Sequence, residues 1–291
     1  MTAALRILAY GGPMDSLDEY IKISESTAKV ALNKFCENIL ALYKDQYLRT
    51  PTMNDTMHLM EENAARGFLG MIGSLDCMHW EWRGCPSAWK GQFLGHTRSA
   101  TIILEAVASY DLWIWHVFFG MVGSHNDITV LRHSHIFNDF IRGRTPNVPF
   151  IVNGSVYHMS YYLTNGIYPR YTALMQSIPH PHTPVEQVFA RTHESVRKDV
   201  ERAFDVLQAK WGITKGPVRY YKTSELKKIM LTYIILHNMI IDDERHIDID
   251  PWMPLSDEVV SAIDTITTPR FLHNTFTHVW NIYVMTRSMQ E

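Results

Sequence analysis

Apolar residues near the start of the chain recur at a helical interval. Ala28, Ala31, Leu32, Phe35, Ile39, Leu42 and Tyr43 return every three or four positions, which predicts a helix with one buried face, and Ser24 or Ser26 offers the N-cap oxygen. Residues 16–23 predict a shorter helix before it, and the turn over residues 23–26 gives the pair a helix-turn-helix outline. That turn holds no glycine, and a plain helical hairpin packed on the main domain fits the same pattern.

From residue 70 the period becomes that of strands. Residues 101–109 are rich in β-formers, Tyr110-Asp111 provides a turn, and residues 112–120 return with aromatic side chains suited to a buried sheet, so a hairpin is predicted. Residues 123–127 (Gly-Ser-His-Asn-Asp) break the strand and offer caps to a helix starting near Ile128. A second, shorter hairpin is predicted over 150–158. A strand over 161–163 feeds the Asn165-Gly166 turn. The proline-containing residues 178–184 lead to a helical run over 195–207 that carries Glu201, and a last apolar helix covers 226–240. The pattern divides the chain into a helical, helix-turn-helix-like region (1–69), a core of mixed α/β character (70–245) and, beyond the polar residues 242–251, a C-terminal tail (246–291) whose fold the pattern leaves open. There is no internal repeat or low-complexity segment.

Composition narrows the class. With 46% hydrophobic and 20% charged residues the chain is that of a folded protein. Its start lacks the basic and apolar run of a signal peptide. The most apolar stretch, 230–241, is interrupted by Thr232, His237 and Asn238, so no membrane span is expected. Three cysteines, Cys36, Cys77 and Cys85, are too few to staple the chain, which fits a reducing, intracellular compartment. Twenty-seven Lys plus Arg against thirty Asp plus Glu give −3, so any DNA contact must be a local patch. Arg197, Lys198, Arg202 and Lys210, followed by Lys215, Arg219, Lys222, Lys227 and Lys228, are its candidates, with solvated surface charge as the alternative.

Three positions define candidate chemistry. Asp76 closes the apolar residues 71–76, Glu201 lies in a helical run, and Asn165 precedes Glu201 by 36 positions, where a three-carboxylate metal site would need an aspartate. Other groupings are weaker. Cys77, His79 and Cys85 match no standard zinc spacing and lack a fourth ligand. His237-Asn238 reads as a satisfied buried pair ahead of a role near a metal. Trp80, Trp82, Trp89, Trp113 and Trp115 read as core ahead of base-stacking platforms.

Seven segments in series carry a resemblance: Ser74-Leu-Asp-Cys-Met-His-Trp-Glu-Trp82, Cys85-Pro-Ser-Ala-Trp-Lys-Gly91, Leu104-Glu-Ala-Val-Ala-Ser-Tyr-Asp-Leu-Trp-Ile-Trp-His116, Gly123-Ser-His-Asn-Asp-Ile-Thr-Val-Leu131, Tyr161-Tyr-Leu-Thr-Asn-Gly-Ile-Tyr-Pro169, Arg197-Lys-Asp-Val-Glu-Arg-Ala-Phe204 and Ile235-Leu-His-Asn-Met239. Over about residues 3–245 the chain resembles the plant branch of the PIF/Harbinger transposases and their domesticated relatives. The resemblance implies a ribonuclease-H-like fold and a DDE site of two aspartates and a glutamate. Such a site binds two divalent cations, Mg²⁺ or Mn²⁺, and cuts or joins strands of double-stranded DNA. It also implies a nuclear setting, often with a separate Myb-like protein that supplies DNA binding.

Carried over by position, Asp76 matches the first aspartate and Glu201 the glutamate, while Asn165 stands at the second aspartate. Two Mg²⁺ ions about 3.5–4 Å apart clamp the attacking and leaving oxygens. Their repulsion is on the order of 15 kcal/mol at an effective dielectric near 20. Anionic ligands must offset it, and an amide offers an oxygen without a charge. Weak or absent nuclease activity is the expectation. Asp127 is the candidate substitute ligand, with helix capping as its ordinary explanation. Asp199, two residues before Glu201 on a helix, points elsewhere. Deamidation at Asn165-Gly166 is a further route back to a carboxylate. The competing expectation is a catalytically inactive domesticated nuclear factor that binds a Myb-like or chromatin protein. Asn165, Asp205 where the family has glycine, and the short N-terminal region are equally the marks of a decaying transposon copy.

Overall fold

The computed structural model describes residues 1–12, 22–95, 98–138, 146–215, 218 and 220–245. Most of the expected first short helix (16–21), Arg219 and the tail 246–291 lie outside them.

A five-stranded sheet organises the molecule. Its strands are β1 (Met71–Glu81), β2 (Thr101–Ala108), β3 (Ile114–Val122), β6 (Tyr161–Thr164) and β7 (Leu174–Gln176), in the order β3-β2-β1-β6-β7. β1 runs antiparallel to β2, from Ser74 opposite Ala108 to Glu81 opposite Thr101, and parallel to β6. β2 and β3 form the predicted hairpin, and β4 (Phe150–Val152) with β5 (Ser155–Tyr157) forms the second, separate one. Every residue of β2 is buried, which explains why its sequence reads as a continuous apolar run with one glutamate instead of alternating.

Helices cover both faces: α1 (Thr2–Tyr10), α2 (Glu25–Tyr47), α3 (Met53–Ala65), α4 (Asp127–His133), α5 (Pro184–Arg197), α6 (Asp199–Lys210) and α7 (Thr223–Glu244). α2 starts at the predicted cap, where Ser24 Oγ accepts from the Thr27 N–H, and buries Ala28, Leu32 and Cys36. It lies along α7, with α1 packed against it. Gly11 ends α1 in the left-handed region, φ 63°, and a Cβ there would meet the Gly212 carbonyl at 2.6 Å, so only glycine allows this approach. One core joins α1, α2, α6 and α7 to the sheet through Leu8, Leu32, Trp80, Leu104, Leu207 and Tyr233; the other gathers Leu59, Phe68, Leu75, Tyr161, Leu163 and Phe189.

Three polar residues inside α7 make side-chain hydrogen bonds. Thr232 Oγ1 donates to the Lys228 carbonyl at 2.8 Å, and His237 Nε2 donates to the Leu112 carbonyl at 2.8 Å. Asn238 accepts from the Ile114 N–H and donates to the carbonyls of Ile114 and Tyr47. Among the described residues no helix is long and apolar enough to cross a membrane. Trp80, Trp82, Trp113 and Trp115 are buried, while Trp89 is 45% exposed.

Two expectations need correction. The cap of α4 is Asn126, whose Oδ1 accepts from the Thr129 N–H at 2.9 Å, and Asp127 is the first helical residue, where its charge suits the helix N-terminus. The single helical run expected over 195–207 is two helices that meet at Lys198. No glycine or proline marks the break. It coincides with Asp199, whose buried carboxylate pairs with Arg66, the C-cap residue of α3.

Candidate functional site

The parallel pairing of β1 with β6 sets the site. Gly73 stands opposite Tyr162 and Ser74 opposite Leu163, so the register carried on by two residues brings Asn165, one residue past the end of β6, level with Asp76. Ser74 lies on the same face of β1 as Asp76, and its Oγ donates to the Val196 carbonyl at 3.2 Å, fixing the end of α5 beside that face. Arg197 is the last residue of α5, and Glu201 is in the first turn of α6. The junction of these helices therefore closes over Asp76.

Asp76 Oδ1 accepts from the Cys77 N–H at 2.8 Å, and Oδ2 lies 3.6 Å from Arg197 Nη1. Burial pushes its carboxyl up from 3.8 to about 6; the nearby charges of Asp127 and Glu201 push the same way, and the Cys77 N–H and Arg197 oppose them only in part. Glu201, 40% exposed, accepts from Arg197 Nη1 at 2.6 Å. Glu194 takes the other two nitrogens, Nε at 2.9 Å and Nη2 at 2.6 Å. All three guanidinium nitrogens thus face carboxylates, and the Glu194 hydrogen bonds chiefly hold Arg197 above the ordinary arginine range.

Asn165 spends its oxygen on the chain. Its Oδ1 accepts from the Ile167 N–H at 3.0 Å, an Asx turn that carries β6 into the following loop. Asp127 comes close enough for its charge to raise Asp76, Cys77 and Tyr168 together, and Cys77 Sγ meets the Tyr168 hydroxyl at 3.5 Å.

The basic candidates scatter. Arg202 bonds Asp199 and lies 5.9 Å over the Tyr110 ring; Lys210 pairs with Glu244 at 3.1 Å; Lys198 is exposed at the bend. Cys77, His79 and Cys85 do not converge: His79 Nδ1 is 2.9 Å from Thr101 Oγ1, Cys85 Sγ donates to the Pro86 carbonyl, and all three cysteines are free.

The donor set does not fit two divalent cations. Among the described residues no three His, Cys, Asp or Glu side chains gather as a metal site. The second acidic position is neutral with its oxygen engaged, and a guanidinium touches both remaining carboxylates. The sequence carries a signal for this that the basic-patch reading of Arg197 leaves out: Arg197 stands three residues after Glu194 and four before Glu201, the spacings at which helical side chains meet.

The family described as Plant transposon protein matches residues 45–248, and the chain belongs to this PIF/Harbinger-type family. Protein ALP1-like of Arabidopsis thaliana is 23% identical over 250 residues, which cover 84% of this chain and 60% of that relative. The chain therefore spans less than two thirds of that relative's length. No solved structure matches.

Proposed function

We propose that this is a transposase-derived protein in which metal-dependent cleavage and joining of double-stranded DNA is impaired, and which acts as a nuclear binding factor toward DNA or a Myb-like or chromatin protein. The observation that carries the reading is Asn165, level with Asp76 at the end of a parallel strand, with its oxygen committed to the Ile167 N–H. The sheet order, with β1 antiparallel to β2 and parallel to β6, supports a ribonuclease-H-like ancestry for the core. In that ancestry Asp76, an aspartate at 165, and Glu201 hold Mg²⁺ or Mn²⁺; here one charge of the set is missing, and Asp127 is the nearest candidate to replace it.

The test is cleavage of end-labelled duplex DNA with Mg²⁺ and with Mn²⁺ by the natural chain, by Asn165→Asp, and by Asp76→Ala within Asn165→Asp. Activity that appears with Asn165→Asp and disappears with Asp76→Ala is the expected result. Cutting by the natural chain that depends on Asp76 would overturn the reading and direct attention to Asp127.

A further inference from the structure

Arg197 lies between two carboxylates of the candidate centre. One nitrogen, Nη1, faces Glu201 Oε1 at 2.6 Å and Asp76 Oδ2 at 3.6 Å, so a single cationic group joins carboxylates from β1 and α6. The fork from Glu194 holds Nε and Nη2, and the Arg197 side chain is only 15% exposed. Its backbone is fixed next door by the bond from Ser74 Oγ to the Val196 carbonyl. Planar, multiply held guanidinium groups suit this task, because their donors are arranged before binding.

We propose that Arg197 is the resident cation of the acidic centre: it holds Asp76 and Glu201 together and competes with divalent cations for them, a competition that it wins while residue 165 is uncharged and loses once an aspartate at 165 adds a third carboxylate. This rests on reading the centre as a transposase-type carboxylate site. An incoming Mn²⁺ would meet a like charge already in contact with both carboxylates. Without the guanidinium, Asp76 and Glu201, with the Asp127 charge nearby, lose their counter-ion and become an attractive oxygen site for a hard cation. Arg197 is thus a positioning residue that also determines which cation the centre accepts.

Mn²⁺ binding, read from the electron paramagnetic resonance signal of the free ion, tests this without any need for activity. The natural chain, Arg197→Gln, Arg197→Lys and Arg197→Gln with Asp76→Asn are compared, with circular dichroism to establish folding. Arg197→Gln is expected to bind Mn²⁺ at least about tenfold more tightly than the natural chain, by analogy with the size of effects around metal ligands. Arg197→Lys, which keeps the charge, should stay near the natural value, and adding Asp76→Asn should erase the gain. Equal or weaker binding by Arg197→Gln overturns the proposal. If that variant does not fold, Asp76→Asn alone decides: unchanged Mn²⁺ binding relative to the natural chain supports exclusion, and weakened binding overturns it. No gain in Arg197→Gln while Asn165→Asp restores DNA cutting would overturn this inference alone. A natural chain that cuts DNA, with Mn²⁺ binding indifferent to Asp76→Asn, would overturn the functional reading alone.

Discussion

Arg66 reaches both oxygens of the fully buried carboxylate of Asp199, Nη1 to Oδ2 at 2.6 Å and Nη2 to Oδ1 at 3.1 Å. The pair ties the end of α3 to the first residue of α6, and α6 carries Glu201 one half-turn later. The orientation of a site residue therefore depends on an ion pair that lies outside the site.

Removing one partner of a buried pair leaves a charge without compensation, at a cost of about 3–5 kcal/mol. Arg202 remains on Asp199, so Arg66→Ala is expected at the lower end, about 3 kcal/mol in urea unfolding. Asp199→Asn added to Arg66→Ala should recover part of that loss. A double variant no more stable than the single one would show that stacking of the Arg66 guanidinium over the Tyr110 ring matters more than its pairing with Asp199.

Asp76 makes stability depend on pH. Burial raises its folded pKa to about 6 against 3.8 in the unfolded chain, so its contribution is fully present below 3.8 and is lost as pH rises through 6. At ~1.4 kcal/mol per pH unit the loss is about 3 kcal/mol, less where water reaches the carboxyl. Asp76→Asn should be more stable than the natural chain at pH 7.5 and lack this fall. Denaturant midpoints for the two proteins between pH 4 and 8 check it, and a less stable variant at pH 7.5 would refute it.

His193 acts in the opposite sense. It is fully buried, Nε2 donates to the Met175 carbonyl at 3.1 Å, and burial lowers its pKa from 6.5 to about 4. The neutral ring belongs to the fold, so its contribution is present above 6.5 and is lost as pH falls from there towards 4, by about 3 kcal/mol. With Asp76→Asn in place the natural counterweight is gone, and stability should fall more steeply between pH 6 and 4 than in the natural chain. Parallel curves for the two proteins would contradict this.

Asn238 fastens α7 to the start of β3 and the end of α2 through three hydrogen bonds, to the Ile114 N–H and the carbonyls of Ile114 and Tyr47. Asn238→Ala leaves these groups buried and unpaired. At about 1–3 kcal/mol for each unsatisfied group, with partial relaxation, a loss of about 3 kcal/mol is expected in thermal unfolding. A change below about 1 kcal/mol would mean that water reaches the site.

The sequence exposed those parts of the fold that local chemistry specifies. The interval from Ala28 to Tyr43, the turn at Tyr110-Asp111 and the short hairpin over 150–158 each carry their own signal, and the structure has these elements where the pattern puts them, although Leu42, expected on the buried face of the first, is 72% exposed. α3 has no element of its own in the apolar pattern, although Thr52 and Asp55 form a capping box at its start. β7 is three residues long in a loop-rich stretch, too short for any period to show. The break at Lys198 has no local mark; it coincides with a buried carboxylate that pairs with an arginine 133 residues earlier. The candidate site followed the same division: Asp76, Asn165 and Glu201 were legible as positions, while the arginine between two of them became meaningful only when β1 and α5 were side by side.

The Asx turn at Asn165 bears on how the chain can change over time. An aspartate offers the same acceptor to the Ile167 N–H, so either residue can serve the bend after β6. The codons for asparagine and aspartate differ by one nucleotide, and folding applies little pressure for one over the other. A lineage can therefore cross between a charged and an uncharged centre in one mutational step, in either direction, with its scaffold intact throughout.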